Sequence, residues 1–442
     1  MLPETSVYSV ELLGAPMSVG DHLDSVLASK KQDLQRLARR LVFMPSHDSL
    51  FLLRNVITAP RLMYLLRTTP CTGSIELTRY DEVLRETLSA TLNIDLTDER
   101  WNQASLPVRW GGLGVRSVVM LAPSAYLASA ASTADLTSSL LPPRLRDAPS
   151  SGTPVAMTWI SQSATAQTPL IPANQRAWDD SCCQAVAERL LNVTTDRVER
   201  ARLLAPRSTG SGDWLEAIPL ACVGMKMDNV TIRIAAGLRL GAPIVHPHAC
   251  TGCSAQVTVY GHHGLSCRHG SGRHSRHNQV NELLCRAFIS TGTLATREPQ
   301  SLCTTDGKRP DGVTQVPWSR GRCLAWDVTC PDTFAASNIS ASSDEAGSAA
   351  AAAETKKHRK YSDIITGVDF VPVAIETSGV WGEQAMKLVK EVGRRITAAT
   401  HDKRSTAFLR QRLSVGVQRG NAFCVLGTLP PGLHTDCDNE TY

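Results

Sequence analysis

The apolar positions at the front of the chain recur at helical spacing. Leu23, Val26, Leu27, Leu34, Leu37 and Leu41 fall on one face, and Lys30, Lys31, Gln35, Arg36, Arg39 and Arg40 lie largely on the other. This predicts an amphipathic helix ended by Pro45, with Ser46 as the N-cap of a second helix carrying Leu50 to Ile57. A further helix is predicted from about Arg79 to Leu92. The stretch QASLPVRWGGLGVRS breaks the period at Pro107 and at Gly111–Gly112. Residues 134–175, rich in Ser, Thr, Pro and Ala, read as loop or linker, and residues 176–240 return to helical spacing.

Behind residue 278 helical and strand periods alternate. In NQVNELLCRAF, Val280, Leu283, Leu284, Ala287 and Phe288 keep helical spacing, whereas Leu324, Trp326 and Val328 alternate with Cys323, Ala325 and Asp327 as in a strand. The segment SSDEAGSAAAAAETKKHRKYSDII opens with a capping-box pattern, Ser342 to Glu345, and runs on through five alanines as a helix. FVPVAIETSG reads as a strand with Val371, Val373 and Ile375 inward, followed by helices at about 383–399 and 404–419. The polar ending GTLPPGLHTDCDNETY reads as a disordered tail.

Composition narrows the class. A chain of 442 residues has room for about two to four domains, and its 42% apolar and 20% charged residues are ordinary for a soluble globular protein. No apolar run is long enough to cross a bilayer, so no membrane association is expected. The N-terminus MLPETSVYSVELLGAP lacks the basic and apolar regions of a secretory signal. Thirteen cysteines, including the adjacent Cys182–Cys183 and others inside predicted elements, read as reduced intracellular thiols plus a metal cluster. The net charge of +5 permits a nucleic-acid partner without demanding one.

The candidate metal cluster is CTGCSAQVTVYGHHGLSC, from Cys250 to Cys267. The surrounding segment His246–His277 carries seven of the twelve histidines and no acidic residue. Cys250 and Cys253 form a knuckle that presents two sulfurs to one ion, and His262 and Cys267 return on a short loop to complete a tetrahedron suited to Zn²⁺. His263, adjacent to His262, could serve in its place. Four protein ligands leave no open position, which makes the zinc structural or nucleic-acid-binding. Arg268, Arg273 and Arg276 follow at once as a cationic face for phosphate.

A second candidate site lies in KRPDGVTQVPWSRGRCLAWDVTC. A hairpin centred on Ser319, with its turn over Pro317 to Gly321, sets Asp311 opposite Asp327, with Cβ atoms about 4.5–5.5 Å apart. Two carboxylates so placed repel unless a cation such as Mg²⁺ lies between them, and such a site can hold a phosphodiester and activate water. The helix after it delivers Lys357, Lys360 and Tyr361 on one face, with a lysine aimed at the scissile phosphate.

The order of these elements resembles the PD-(D/E)xK restriction-like nuclease fold. With the Cys-Cys-His-Cys knuckle and Arg-His-Asn at 276–278 before it, it resembles the C-terminal region of non-LTR retrotransposon proteins. ELLGAP at 11–16 with its following helices looks like a reverse-transcriptase palm passing into its thumb, and LPVRWGGLGVRS at 106–117 resembles a segment just beyond the thumb. The resemblance implies a multidomain chain: an all-α thumb-like region over 1–135, a linker and helical region over 136–240, and a zinc knuckle over 246–278. An α/β restriction-endonuclease-like domain with a mixed sheet follows over 279–425, then the tail over 426–442.

It further implies nicking of target DNA to supply a 3′-hydroxyl for reverse transcription of element RNA, in the nucleus. A homodimer on the target is one arrangement that would cut both strands, and the sequence leaves it open. Carried over by position, Asp311 and Asp327 become Mg²⁺ ligands and Lys357 or Lys360 the catalytic lysine. Cys250, Cys253, His262 and Cys267 become zinc ligands, and Glu298 and Asp306 are weaker candidates for a metal contact. The usual pattern places its lysine where Thr329 stands, which keeps open an inactive, zinc-containing nucleic-acid-binding remnant. The polymerase aspartates belong upstream of the thumb. Asp179–Asp180 reads instead as a helix-start feature, so the chain is not expected to polymerise DNA by itself.

Overall fold

The computed structural model describes residues 11–16, 19–142, 152–302, 309–362 and 367–431, and divides into two units between Val193 and Thr194. The described chain is mostly helical, with one small mixed sheet in the second unit. Of the segments read above, residues 1–10, 143–151, 303–308 with Asp306, 363–366 and 432–442 lie outside the described residues.

The first unit is not wholly helical. Leu13 and Gly14, both at positive φ, turn the chain between β1 (Glu11–Leu12) and β2 (Ala15–Pro16). α1 (Asp21–Leu41) follows and buries Leu23, Leu27, Leu34 and Leu41, the stripe expected from its period. α2 (Ser46–Leu52) has Pro45, not Ser46, in the cap position. After it come α3 (Ala59–Thr68), α4 (Ile75–Leu92), α5 (Asp98–Ala104) and α6 (Val118–Leu140).

The expected loop over 134–175 is partly helical. It holds the end of α6 and all of α7 (Gly152–Ser163), and α8 (Gln175–Val193) begins at its last residue. Its small residues mask any period, and two aromatic anchors fix it instead. Trp159 and Trp178 meet edge to face at 4.7 Å, against Ala128 and Cys182.

The second unit begins with α9 (Arg197–Leu204) and α10 (Asn229–Leu240). Then come the short pair β3 (His248–Ala249) and β4 (Gln256–Val257), α11 (His262–Ser266) and α12 (Gly272–Ser290). The four-stranded sheet has the order β5 (Ala295–Arg297), β6 (Gly312–Thr314), β7 (Cys323–Thr329), β8 (Val368–Ala374). The first two pairings are antiparallel and β7–β8 is parallel. A parallel neighbour requires a crossover, supplied here by α13 (Ile339–Asp344) and α14 (Ser348–Tyr361). The capping box expected at Ser342–Glu345 does not form. Those residues end α13, and Gly347, at φ 91°, precedes α14. α15 (Glu383–Thr400) and α16 (Ser405–Leu426) close the unit.

Its core gathers Val280, Leu284 and Phe288 of α12, Leu324, Trp326 and Val328 of β7, Val389 and Val392 of α15, and Leu413 and Val417 of α16. Phe288 stacks on Trp326 at 4.7 Å, and its burial stabilises the fold by roughly 1.5–3 kcal/mol. Gly312 is required beside that ring, since a Cβ there would lie 2.0 Å from Trp326 Cζ2.

Candidate metal centre and carboxylate site

The metal centre is built by two turns. Cys250 accepts at its carbonyl from the Ser254 amide at 2.7 Å, and Ser254 itself lies at φ 60°, which brings Cys253 round toward Cys250. Gly261, also at positive φ, opens the short helix α11, which carries the histidine and leads to Cys267. The Sγ of Cys267 lies 3.9 Å from that of Cys250 and 3.7 Å from that of Cys253, and Cys253 Sγ lies 3.2 Å from His263 Nε2. Tetrahedral zinc with Zn–S bonds near 2.3 Å needs sulfurs about 3.8 Å apart, so the cage has the size and the soft donors for Zn²⁺. Among the described residues this is the one group of three or more Cys, His, Asp or Glu whose ligand atoms all lie within 4.8 Å of one another.

The histidine in the cage is His263, not His262. A helix turns about 100° per residue, so only one of two adjacent side chains can face the thiols. His262 stacks on Phe334 at 4.4 Å and on Tyr260 at 5.8 Å. Burial and the nearby Arg202 guanidinium push its pKa down to about 4, which keeps the stacked ring neutral.

The cationic face also changes. Arg268 and Arg273 are exposed, but Arg276 is only 1% exposed. Its guanidinium donates to Asn421 Oδ1 and to the Leu265 carbonyl, each at 3.0 Å. Gly420 makes room for it, since a Cβ there would lie 2.4 Å from Arg276 Cγ. Arg276 thus ties the Cys/His segment to α16 and is shut away from any phosphate.

The carboxylates sit on the sheet. Gly312 pairs with Trp326 and Val313 with Ala325, and the same register one residue further sets Asp311 against Asp327. The tip does not follow that register. A tight turn joins Ser319 to Arg322, with Arg320 and Gly321 at positive φ, so the first strand carries extra residues before it. Thr314 fills the gap, its hydroxyl accepting from the Leu324 amide at 3.0 Å and donating to the Val316 carbonyl.

Three elements converge on the pair. From α14, Lys357 forms an ion pair with Asp327 Oδ2, and the Tyr361 hydroxyl donates to Asp327 Oδ1 at 2.5 Å. Lys360 reaches the Tyr361 hydroxyl at 2.7 Å, one group removed from the carboxylate. From β7 itself, the Val328 amide donates to Asp311 Oδ2 at 2.6 Å. From α12, His277 Nε2 meets the same oxygen at 2.8 Å. Glu298 donates its amide to the Asp311 carbonyl while its carboxylate pairs with Arg309.

No protein-family model matches the chain, and no curated protein matches it. The chemistry of the site therefore rests on its residues.

Asp327 is 2% exposed, and among the described residues its Oδ2 meets only the Lys357 ammonium, so the carboxylate keeps capacity for a hard cation. Burial, and then the Asp327 carboxylate, push the Tyr361 pKa upward, so that side chain stays a proton donor. For His277, burial opposes the charged ring, but the Asp311 hydrogen bond and the charges of Asp311 and Asp327 outweigh it and raise its pKa. Spacing along the sequence did not single out His277 or Asn281 as partners of Asp311. Their i, i+4 separation, which puts two polar side chains on one helix face, is the signal that could have found them.

Proposed function

We propose that this chain is a Mg²⁺-dependent DNA endonuclease of the non-LTR retrotransposon kind. It nicks target DNA in the nucleus, and the exposed 3′-hydroxyl primes reverse transcription of element RNA. One arrangement carries the reading: Asp311 and Asp327 at matched positions on β6–β7, with Lys357 brought to Asp327 by the crossover helix. The mixed sheet with helices on its faces is compatible with a PD-(D/E)xK nuclease core. Lys357 answers the departure at Thr329, because a lysine from the following helix reaches the acid that the strand position does not serve.

Asp311 and Asp327 would hold Mg²⁺, which supplies charge against the phosphodiester and acidifies an attacking water. Lys357 places an ammonium where negative charge develops on the phosphate, already oriented before the reaction. Tyr361 fixes the rotamer of Asp327 and keeps its own proton. Lys356, Arg359 and Lys360, exposed on α14, give the approaching DNA backbone a cationic track. The zinc cage holds α12 in place through Arg276 and takes no part in the chemistry.

The test uses the full chain with one zinc per chain verified, on supercoiled plasmid with Mg²⁺. Conversion to open circles, lost in Asp311→Asn, Asp327→Asn and Lys357→Met and reduced less in Lys360→Met, is the expected result. A protein that binds DNA but leaves the plasmid intact with Mg²⁺ and Mn²⁺ is a nucleic-acid-binding module, and the nuclease reading fails.

A further inference from the structure

One helix face, on α12, addresses the candidate carboxylate site without entering it. His277 Nε2 lies 2.8 Å from Asp311 Oδ2, and Asn281, one turn later, donates its side-chain amide to the Asp311 backbone carbonyl at 3.1 Å. Asn281 is in turn fixed from the other side, its Oδ1 accepting from Trp326 Nε1 at 2.8 Å. Both contacts fall on the residue just before β6. Among the described residues, Asp311 would otherwise have only the Val328 amide to set its side chain. With two donors on Oδ2, rotation of the carboxylate is arrested, and among the described residues Oδ1 is left for another partner.

Resting on the nuclease reading above, we propose that His277 is a positioning residue: it locks Oδ2 of Asp311 so that Oδ1 faces a divalent cation shared with Asp327. The His277 ring belongs behind the ligand, in the place where a hydrogen-bond partner orients a metal-binding group and strengthens its hold. Its length matters, because Nε2 is the distal ring nitrogen. A glutamine can put an amide N–H close to that point, whereas an alanine leaves Asp311 free to turn.

The experiment follows Mn²⁺ binding to the zinc-loaded full chain by electron paramagnetic resonance, with the Asp327-dependent site defined by difference from Asp327→Asn. His277→Ala is expected to weaken that site about 10- to 100-fold, the usual effect of removing such a partner, while His277→Gln recovers much of the loss. Zinc content and the thermal unfolding midpoint, followed in parallel, stay near wild type in both variants. Equal Mn²⁺ affinity in wild type and His277→Ala overturns the proposal, as does the absence of any Asp327-dependent Mn²⁺ site. Weak binding in His277→Gln equal to that in His277→Ala also overturns it, since the distal donor would then not be what matters. Plasmid nicking is scored on the same samples. Intact Mn²⁺ binding and its His277 dependence without nicking would remove the nuclease reading and leave the positioning role standing.

Discussion

Two pairs of aspartates stand in this chain, one in each unit, and they are held in opposite ways. In the first unit Asp179 takes a two-point bond from Arg116, with contacts of 2.8 and 2.6 Å, and Asp180 is bound by Arg109 and by Trp110 Nε1. Those partners come from the LPVRWGGLGVRS segment, so the acid pair clasps that segment to α8 and is no helix-start feature. In the second unit Asp311 and Asp327 meet one imidazole, one ammonium, one phenol and one backbone amide. Arginine keeps its charge and fills a carboxylate with a planar fork. A single lysine on a flexible stem can leave. The first pair is saturated by permanent partners. The second is held, among the described residues, by single contacts from separate side chains and one backbone amide, with no fork that fills a carboxylate.

The largest expected effect that would break this comparison belongs to the clasp. Arg116 is well buried and its pKa is raised because burial is outweighed by Asp179. Asp179→Ala would strand that charge and should cost about 3–5 kcal/mol in the unfolding transition of the first unit, measured in urea. A loss below about 1 kcal/mol would show the clasp to be incidental. The same variant should nick plasmid like wild type under conditions where the first unit is folded.

Next in size is the mirror experiment. Asp327→Asn should cut nicking by at least about a hundredfold, the scale set by losing one preorganised electrostatic contact, while destabilising the fold less than Asp179→Ala. Asp180→Asn should leave nicking unchanged. If Asp327→Asn and Asp180→Asn behave alike in the nicking assay, the distinction between the two pairs has no functional meaning.

The sequence was legible where neighbours along the chain decide the geometry. The alternation at Leu324–Val328 and the hairpin between Asp311 and Asp327 gave the right register, although the turn lies further on and extra residues on the first strand compensate. The cysteine knuckle was legible for the same reason. What escaped depends on contacts made across long separations. His262 and His263 have nearly equal spacing to the thiols, and only the packing of Phe334 on His262 separates them. Arg276 reads as one more surface arginine until Asn421 and Leu265 are seen to close round it. Asp179 finds Arg116 from 63 positions away, a pairing that periodicity does not report.

The smallest expected effect concerns a third acid, which tests whether the kind of partner or burial alone sets how an aspartate behaves. Asp81 is 7% exposed and accepts from the Ser117 hydroxyl and the Val118 and Val119 amides at the start of α6, all of them neutral donors. Burial prevails over those bonds, and its pKa rises from 3.8 to about 6. For Asp180 burial likewise opposes the charge, but Trp110 and Arg109 outweigh it and lower the pKa. The signs are therefore opposite. A raised carboxyl gives stability that is present below the unfolded pKa and is lost as pH climbs through the folded one, so Asp81 works against the fold as pH goes from about 4 to about 6. The slope it adds is at most about 1.4 kcal/mol per pH unit. Asp180 contributes stability present above the unfolded pKa and lost as pH falls through its lowered folded value. Urea unfolding of the first unit across this window should show a flatter pH dependence in Asp81→Asn than in wild type, and a smaller change near pH 4 in Asp180→Asn. Parallel curves for wild type and Asp81→Asn would mean that the three neutral donors at the start of α6 offset the burial of the carboxylate in full.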